Sequence, residues 1–302
     1  MEDLYCSEAP ACSEGPIALQ DNTLLEDSRI LNNLLQLQPF TIPPQNYFLH
    51  IQSDIQPYMR KVVTKWMWEV CEEEGCEEQV FAVAINLFDR FLCACVIQRT
   101  QLQLLGSVCL LLASKLRQCR PLSVDNLTFY TDYSVSQQEI RSWELLLVSK
   151  LGWDLAPITA FDFVDHLLCR VPFLGCDPAV TRKHATTFLA LAVIEPEFLQ
   201  VEPSALAVAS IISAVRGLIP LSECTAALTT FAAAVNLDPH ALHALVNQVD
   251  LVVEREAMLV PSPVSTQQTQ QPLTPTNKQQ PPEPMEFFDV QKTPTEVTDI
   301  HF

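Results

Sequence analysis

Three features of the sequence predict an all-α chain in which five helices are followed by five more. Between about residues 26 and 258, apolar side chains recur at spacings of three and four, the period of a helix with one buried face. Strand-like alternation bounded by turn residues is essentially missing from that stretch. Cap and stop signals cut it into pieces of ordinary helix length, with one longer break from Gly152 to Pro157.

The elements follow in order. Residues 1–25 are polar, acidic and aperiodic, and should form a mobile arm. A short helix is expected near 26–37, then a longer one over 55–73 that carries Met59, Val62, Val63, Trp66 and Val70 as a stripe. Gly75 stands where that helix should end in the left-handed conformation, as Gly152 does for a later one. Helices are expected over 78–95, 101–117, 124–130 and 136–151, with Thr100-x-x-Gln103 and Ser136-x-x-Glu139 as capping boxes. The segments 101–117 and 136–151 are apolar nearly all round, which marks both as central helices of a bundle. Beyond the break come 160–170, 178–194, 203–217, 221–235 and 239–257. Asp177-Pro178 and Asp238-Pro239 each set an N-cap before a proline at the first helical position. From Pro261 onward prolines mix with Gln, Ser and Thr, a composition expected to be disordered. The organisation is thus an arm (1–25), a first domain (26–155), a second domain (156–258) and a tail (259–302).

Composition narrows the function. The 302 residues carry 18 Lys and Arg against 36 Asp and Glu, a net charge of −18. Binding to a phosphate backbone or an anionic membrane needs a cationic footprint, so protein partners are expected, with no nucleic acid and no membrane. The start Met1-Glu2-Asp3 supplies no basic leader region, and the longest apolar runs fall short of the ~20 residues that span a bilayer. Eleven cysteines, an odd number scattered through helical segments, read as reduced thiols packed as small hydrophobes. The six glycines lie far apart, which excludes the usual phosphate-cradling loops. No hydrolase, zincin or kinase catalytic signature is present, and His240 and His243 lack a second ligand pair, so neither metal nor cofactor is expected.

Several residues do not fit a simple core. Lys115 lies near the end of one apolar helix and Glu144 within another, followed by leucines. Charges so placed are costly unless paired, so an ion pair is expected, and both groups can also reach a partner's backbone. Met59, Val63 and Trp66 are core residues by their spacing, or else one wall of an exposed groove for a short apolar motif. The run Glu72, Glu73, Glu74, Glu77 and Glu78 reads as a solvated turn. In the arm, Leu4-Tyr5-Cys6-Ser7-Glu8 has the form L-x-C-x-E, which in an extended chain turns Leu4, Cys6 and Glu8 toward one groove. The tail holds proline-directed sites at Ser262, Thr274 and Thr293.

The segments Met59–Trp66, Asn86–Leu92, Leu102–Gly106, Ala113-Ser114-Lys115 and Glu144–Leu147 resemble the N-terminal cyclin box. With the arm motif and the ending Thr293–Asp299 they are similar to D-type cyclins over nearly the whole chain. The resemblance implies two tandem five-helix cyclin-box domains and a regulatory subunit, not an enzyme, that activates a cyclin-dependent kinase at G1/S. It implies that Lys115 and Glu144 grip the kinase near the helix carrying its catalytic glutamate. It implies that Met59, Val63, Trp66 and Gln103 form a substrate-docking patch, and that Leu4, Cys6 and Glu8 contact retinoblastoma-type pocket proteins. Thr293 matches a threonine whose phosphorylation leads to nuclear export and ubiquitin-dependent destruction, so a ubiquitin ligase, kinase inhibitors and a nuclear and cytoplasmic location belong to the same expectation. A non-activating cyclin-box adaptor or transcription-factor-like scaffold is the alternative. One departure stands out: many cyclins carry an acidic residue shortly after Ala-Ser-Lys, where this chain continues Leu116-Arg117-Gln118.

Overall fold

The computed structural model describes residues 21–171 and 176–259, and every described regular element is helical. The arm motif (Leu4, Cys6, Glu8) and the tail with Thr293 lie outside the described residues. Helix appears earlier than the sequence suggests, because the Asp21 carboxylate accepts from Thr23 N and caps α1 (Asn22–Glu26). Asp27 caps α2 (Ser28–Leu37) in the same way, and a short helix α3 (Tyr47–His50) follows.

The first five-helix repeat is α4 (Pro57–Glu73), α5 (Glu78–Ala94), α6 (Leu102–Arg117), α7 (Val124–Tyr130) and α8 (Gln137–Lys150). The second is α9 (Phe161–Leu168), α10 (Pro178–Ile194), α11 (Pro203–Val215), α12 (Leu221–Ala234) and α13 (Pro239–Leu259). Prolines open α4, α10, α11 and α13, where the missing N–H has no intrahelical partner to lose. Asp177 caps α10 and Asp238 accepts from Ala241 N at the start of α13. Gly75 and Gly152 both take positive φ, closing α4 and α8.

At Ser136 both bonds of the capping box form: Glu139 N donates to Ser136 Oγ at 3.2 Å and Ser136 N to Glu139 Oε2 at 2.9 Å. Ser136→Ala should therefore cost about 1 kcal/mol, read as a lower urea midpoint at unchanged slope. The box expected at Thr100 and Gln103 does not form. It lies two residues earlier, with Gln98 N donating to Gln101 Oε1 around a 3-10 turn (Arg99–Gln101), and α6 begins only at Leu102.

Each repeat is built around buried helices. In α6 every residue from Leu104 to Ser114 is buried, and in α11 every residue from Ser204 to Val215. The expectation that 136–151 is a second central helix is overturned. Only Ile140, Leu147 and Val148 of α8 are buried, and Leu145 is 69% exposed. Adjacent residues diverge by about 100° on a helix, so the run Leu145–Val148 cannot all face inward from a helix packed on one side. The partner of α6 at the centre is α5, with eleven buried residues from Val80 to Leu92, among them a charged one, Asp89.

Asp89 joins the repeats through Arg60 of α4, which is 1% exposed. Arg60 Nε and Nη2 each donate to Asp89 at 2.8 Å, while Nη1 and Nη2 reach the carbonyls of Ile194 and Val193 at the end of α10, at 2.7 and 3.1 Å. Tyr47 Oη donates to Asp89 Oδ1 at 2.8 Å. Burial works against the guanidinium's charge, but Asp89 outweighs it and raises the Arg60 pKa above its usual value. Lys61 and Arg255 both bond Glu195 at 2.6 Å, and Gln38 Nε2 donates to Ser204 Oγ at 3.0 Å. No described helix is long and apolar enough to cross a membrane.

Candidate functional site: a half-exposed ion pair and an apolar patch

Lys115 sits in the last turn of α6, where a cation is favoured by the carbonyl end of the helix. Its Nζ meets Glu144 Oε1 of α8 at 2.5 Å, with the side chains 45% and 23% exposed. The pair expected from the sequence thus forms, but the premise that both charges are buried is corrected. It stands at the outer edge of the repeat because α8 is peripheral. Leu116 and Leu145, the neighbours of the two charges in sequence, are both exposed large apolar residues. An ammonium has three donors and a carboxylate about four acceptor positions, so the bond between them leaves polar capacity directed outward.

The apolar patch lies on α4 and α6. Its stripe is not a simple core stripe: Met59 and Val63 are half-buried, Val62 is exposed, and only Trp66 and Val70 are fully buried. The buried face of α4 combines these two with Arg60, Thr64, Met67 and Cys71. The positions between the apolar residues therefore do not all face solvent, since Arg60 is the largest fully buried side chain of the helix. Gly106 allows the two helices to touch: a Cβ there would meet Val63 Cγ1 at 3.2 Å and Trp66 Cζ3 at 3.3 Å. Gln103, half-buried on the first turn of α6, takes a 3.4 Å contact from Ser134 Oγ. The Trp66 indole N–H is buried and finds no acceptor among the described residues. A buried donor left unpaired costs about 1–3 kcal/mol, which an incoming carbonyl would relieve.

The acidic turn is more than a solvated run. Glu74 accepts from Asn126 Nδ2 at 3.0 Å and Tyr130 Oη at 2.9 Å, and Glu78 accepts from Thr186 Oγ1 at 3.0 Å and pairs with Arg182 across the repeats. Burial and the bond to Glu74 raise the Tyr130 pKa. Nor are all thiols core-packed: Cys71, Cys109 and Cys224 are buried, while Cys119 and Cys169 are exposed. Gln118, the departure after Lys115, is half-buried with its Oε1 enclosed, and its amide lies against Cys76 rather than extending the outer edge. Among the described residues no cluster of three His, Cys, Asp or Glu could hold a metal.

Sequence reasoning missed Arg60 and Asp89. The signal was present, because Asp89 is set between Phe88 and Phe91 as Glu144 is set beside leucines. Arg60 keeps the register of Thr64, Met67 and Cys71.

Comparison with known proteins agrees with this architecture. Residues 29–156 match the model of the cyclin N-terminal domain and residues 158–267 that of the cyclin C-terminal domain. The G1/S-specific cyclin-D2 of Gallus gallus is 39% identical over 278 residues, covering 90% of this chain and 91% of that protein. The G1/S-specific cyclin-D3 of Homo sapiens is 40% identical over 274 residues, with the same coverage. A viral cyclin from herpesvirus saimiri shares the fold at a TM-score of 0.64 and 24% identity, covering 75% of this chain and 97% of that one. With tandem five-helix repeats, both domain matches and relatives of this identity along nearly its full length, the chain belongs to the cyclin family, among the G1/S-specific D-type cyclins.

Proposed function

We propose that this cyclin is the regulatory subunit that binds and activates a cyclin-dependent Ser/Thr kinase at the G1/S transition and directs it to retinoblastoma-type pocket proteins. The observation that carries the reading is the Lys115–Glu144 pair, fixed at 2.5 Å yet open to solvent between exposed Leu116 and Leu145. A preset acid and base on an apolar surround suit a partner's backbone, because each holds the other's geometry before contact is made. Docking there would press the kinase's helix and activation loop into the orientation that completes its ATP site.

Met59, Val63, Trp66 and Gln103 are proposed to receive an apolar docking motif of substrates or kinase inhibitors, the unpaired Trp66 N–H being the observation in favour. Leu4, Cys6 and Glu8 are proposed to hold the pocket protein, and Thr293 to carry the phosphorylation read by a ubiquitin ligase as the protein moves between nucleus and cytoplasm.

The test is copurification with a cyclin-dependent kinase, followed by an assay on a pocket-protein fragment and on a short generic peptide. The proposal expects activity on both that is absent from the kinase alone; a bound but inactive kinase would favour a scaffold instead. Cys6→Ala or Glu8→Ala should lower phosphorylation of the fragment by about tenfold or more and leave the short peptide unaffected.

A further inference from the structure

The turn between α4 and α5 brings two cysteines together. Cys76 N donates to Cys71 O at 2.8 Å and Gly75 N to Glu72 O at 3.3 Å, with Gly75 at φ +60°. These are the paired bonds of a Schellman motif, whose geometry sets the third residue from the helix end against the second residue beyond it. That contact is ordinarily hydrophobic, and here both members are thiols. The two thiols are in hydrogen-bonding contact, and the Gln118 amide, from the end of α6, also reaches the Cys76 sulfur. Both cysteines line a cleft between the repeats, with Trp68, Phe81 and Phe161 among its walls. Cys71 is otherwise buried, and Cys76 is half-exposed.

We propose that Cys71 and Cys76 form a reversible disulfide on exposure to a hydroperoxide, with Cys76 as the attacking sulfur, Cys71 as the resolving one and Gln118 as the positioning residue. A thiol already hydrogen-bonded to its neighbour needs little backbone movement to be bridged. Donation from Cys71 and Gln118 stabilises the Cys76 thiolate and lowers its pKa, against burial and the nearby Glu74 carboxylate, while the same contact and burial raise that of Cys71. An acidic residue in place of Gln118 would repel the thiolate that the amide supports.

In the reaction the Cys76 thiolate attacks one peroxide oxygen and the O–O bond breaks. Hydroxide leaves, takes up a proton and becomes water, and Cys76 becomes a sulfenic acid. The Cys71 sulfur then attacks the sulfenic sulfur. The S–S bond forms, the S–O bond breaks, and a second water leaves with the Cys71 proton. Two thiols lose two electrons, and hydrogen peroxide gains them as two waters.

The test treats the full chain with graded hydrogen peroxide, blocks remaining thiols with N-ethylmaleimide and analyses tryptic peptides by mass. The peptide from Trp66 to Arg90 holds both cysteines and no other. It should appear unblocked and lighter by two hydrogens at doses that leave the exposed Cys119 and Cys169 blockable, and recover both thiols on reduction. Oxidation of Cys119 or Cys169 while Cys71 and Cys76 remain blockable would overturn the proposal. Cys71→Ser should strand Cys76 as a sulfenic acid trapped by a 1,3-dione, and a trap-negative Cys76 would contradict its role. Gln118→Glu, which leaves the turn intact, should slow the bridge by about tenfold; an unchanged rate would contradict the role given to the amide.

Discussion

Arg60→Met, with Asp89 left in place, should destabilise the protein by about 3–5 kcal/mol, because it strands a carboxylate in the centre of the molecule. The substitution also takes donors from the Ile194 and Val193 carbonyls, so the second repeat loses one of its ties to the first. Adding Asp89→Asn in the same chain should restore part of the loss, since a neutral amide still accepts from Tyr47 without an unpaired charge. Urea unfolding of the wild type and the two variants measures both effects. If Arg60→Met cost less than about 1 kcal/mol, water would have to reach Asp89, and the pair would not be the central polar contact between the repeats.

Lys115→Glu should have the largest effect on function. It replaces an attraction to Glu144 by a like-charge contact and presents a second carboxylate to the kinase. Loss of kinase affinity of about 100-fold or more is expected, with helix content unchanged, since the side chains are 45% and 23% exposed and no buried charge is created. Titration of kinase with the variant, alongside circular dichroism, separates lost binding from lost folding. Unchanged affinity would remove Lys115 from the interface.

Much of the fold was legible because its signals are local. Proline at the first position of α10 and α13, aspartate before it, and glycine at the left-handed positions after α4 and α8 act within a few residues of where they stand. Burial was harder to read. The apolar content of α8 suggested a central helix, but content does not say how many sides of a helix are covered, and Leu145 points to solvent while Leu147 points inward. Conversely, α5 carries Asp89 and reads as less apolar than its place at the centre requires, because the residue that neutralises it is 29 positions away. The pairing of Arg60 was hidden for the same reason, as its partners lie on α5 and at the end of α10.

The candidate site was legible as a set of residue types and only partly as geometry. The ion pair between Lys115 and Glu144 follows from placement alone, whereas its exposure depends on α8 being peripheral. Trp66 was visible as a member of a stripe, but its unpaired N–H depends on how closely α4 and α6 approach at Gly106. The contact of Cys71 with Cys76 is the most local of these features, set by the Schellman turn that Gly75 permits.

The most direct measurement is kinase binding by the charge-swapped chain Lys115→Glu/Glu144→Lys. If the acid and base serve a partner, the swap should recover the contact between α6 and α8 and wild-type unfolding, yet still fail to bind, because each charge now meets the wrong group on the kinase. Binding at wild-type strength by the swapped chain would show that the pair only fastens two helices together, and would contradict the assignment of this face to the kinase.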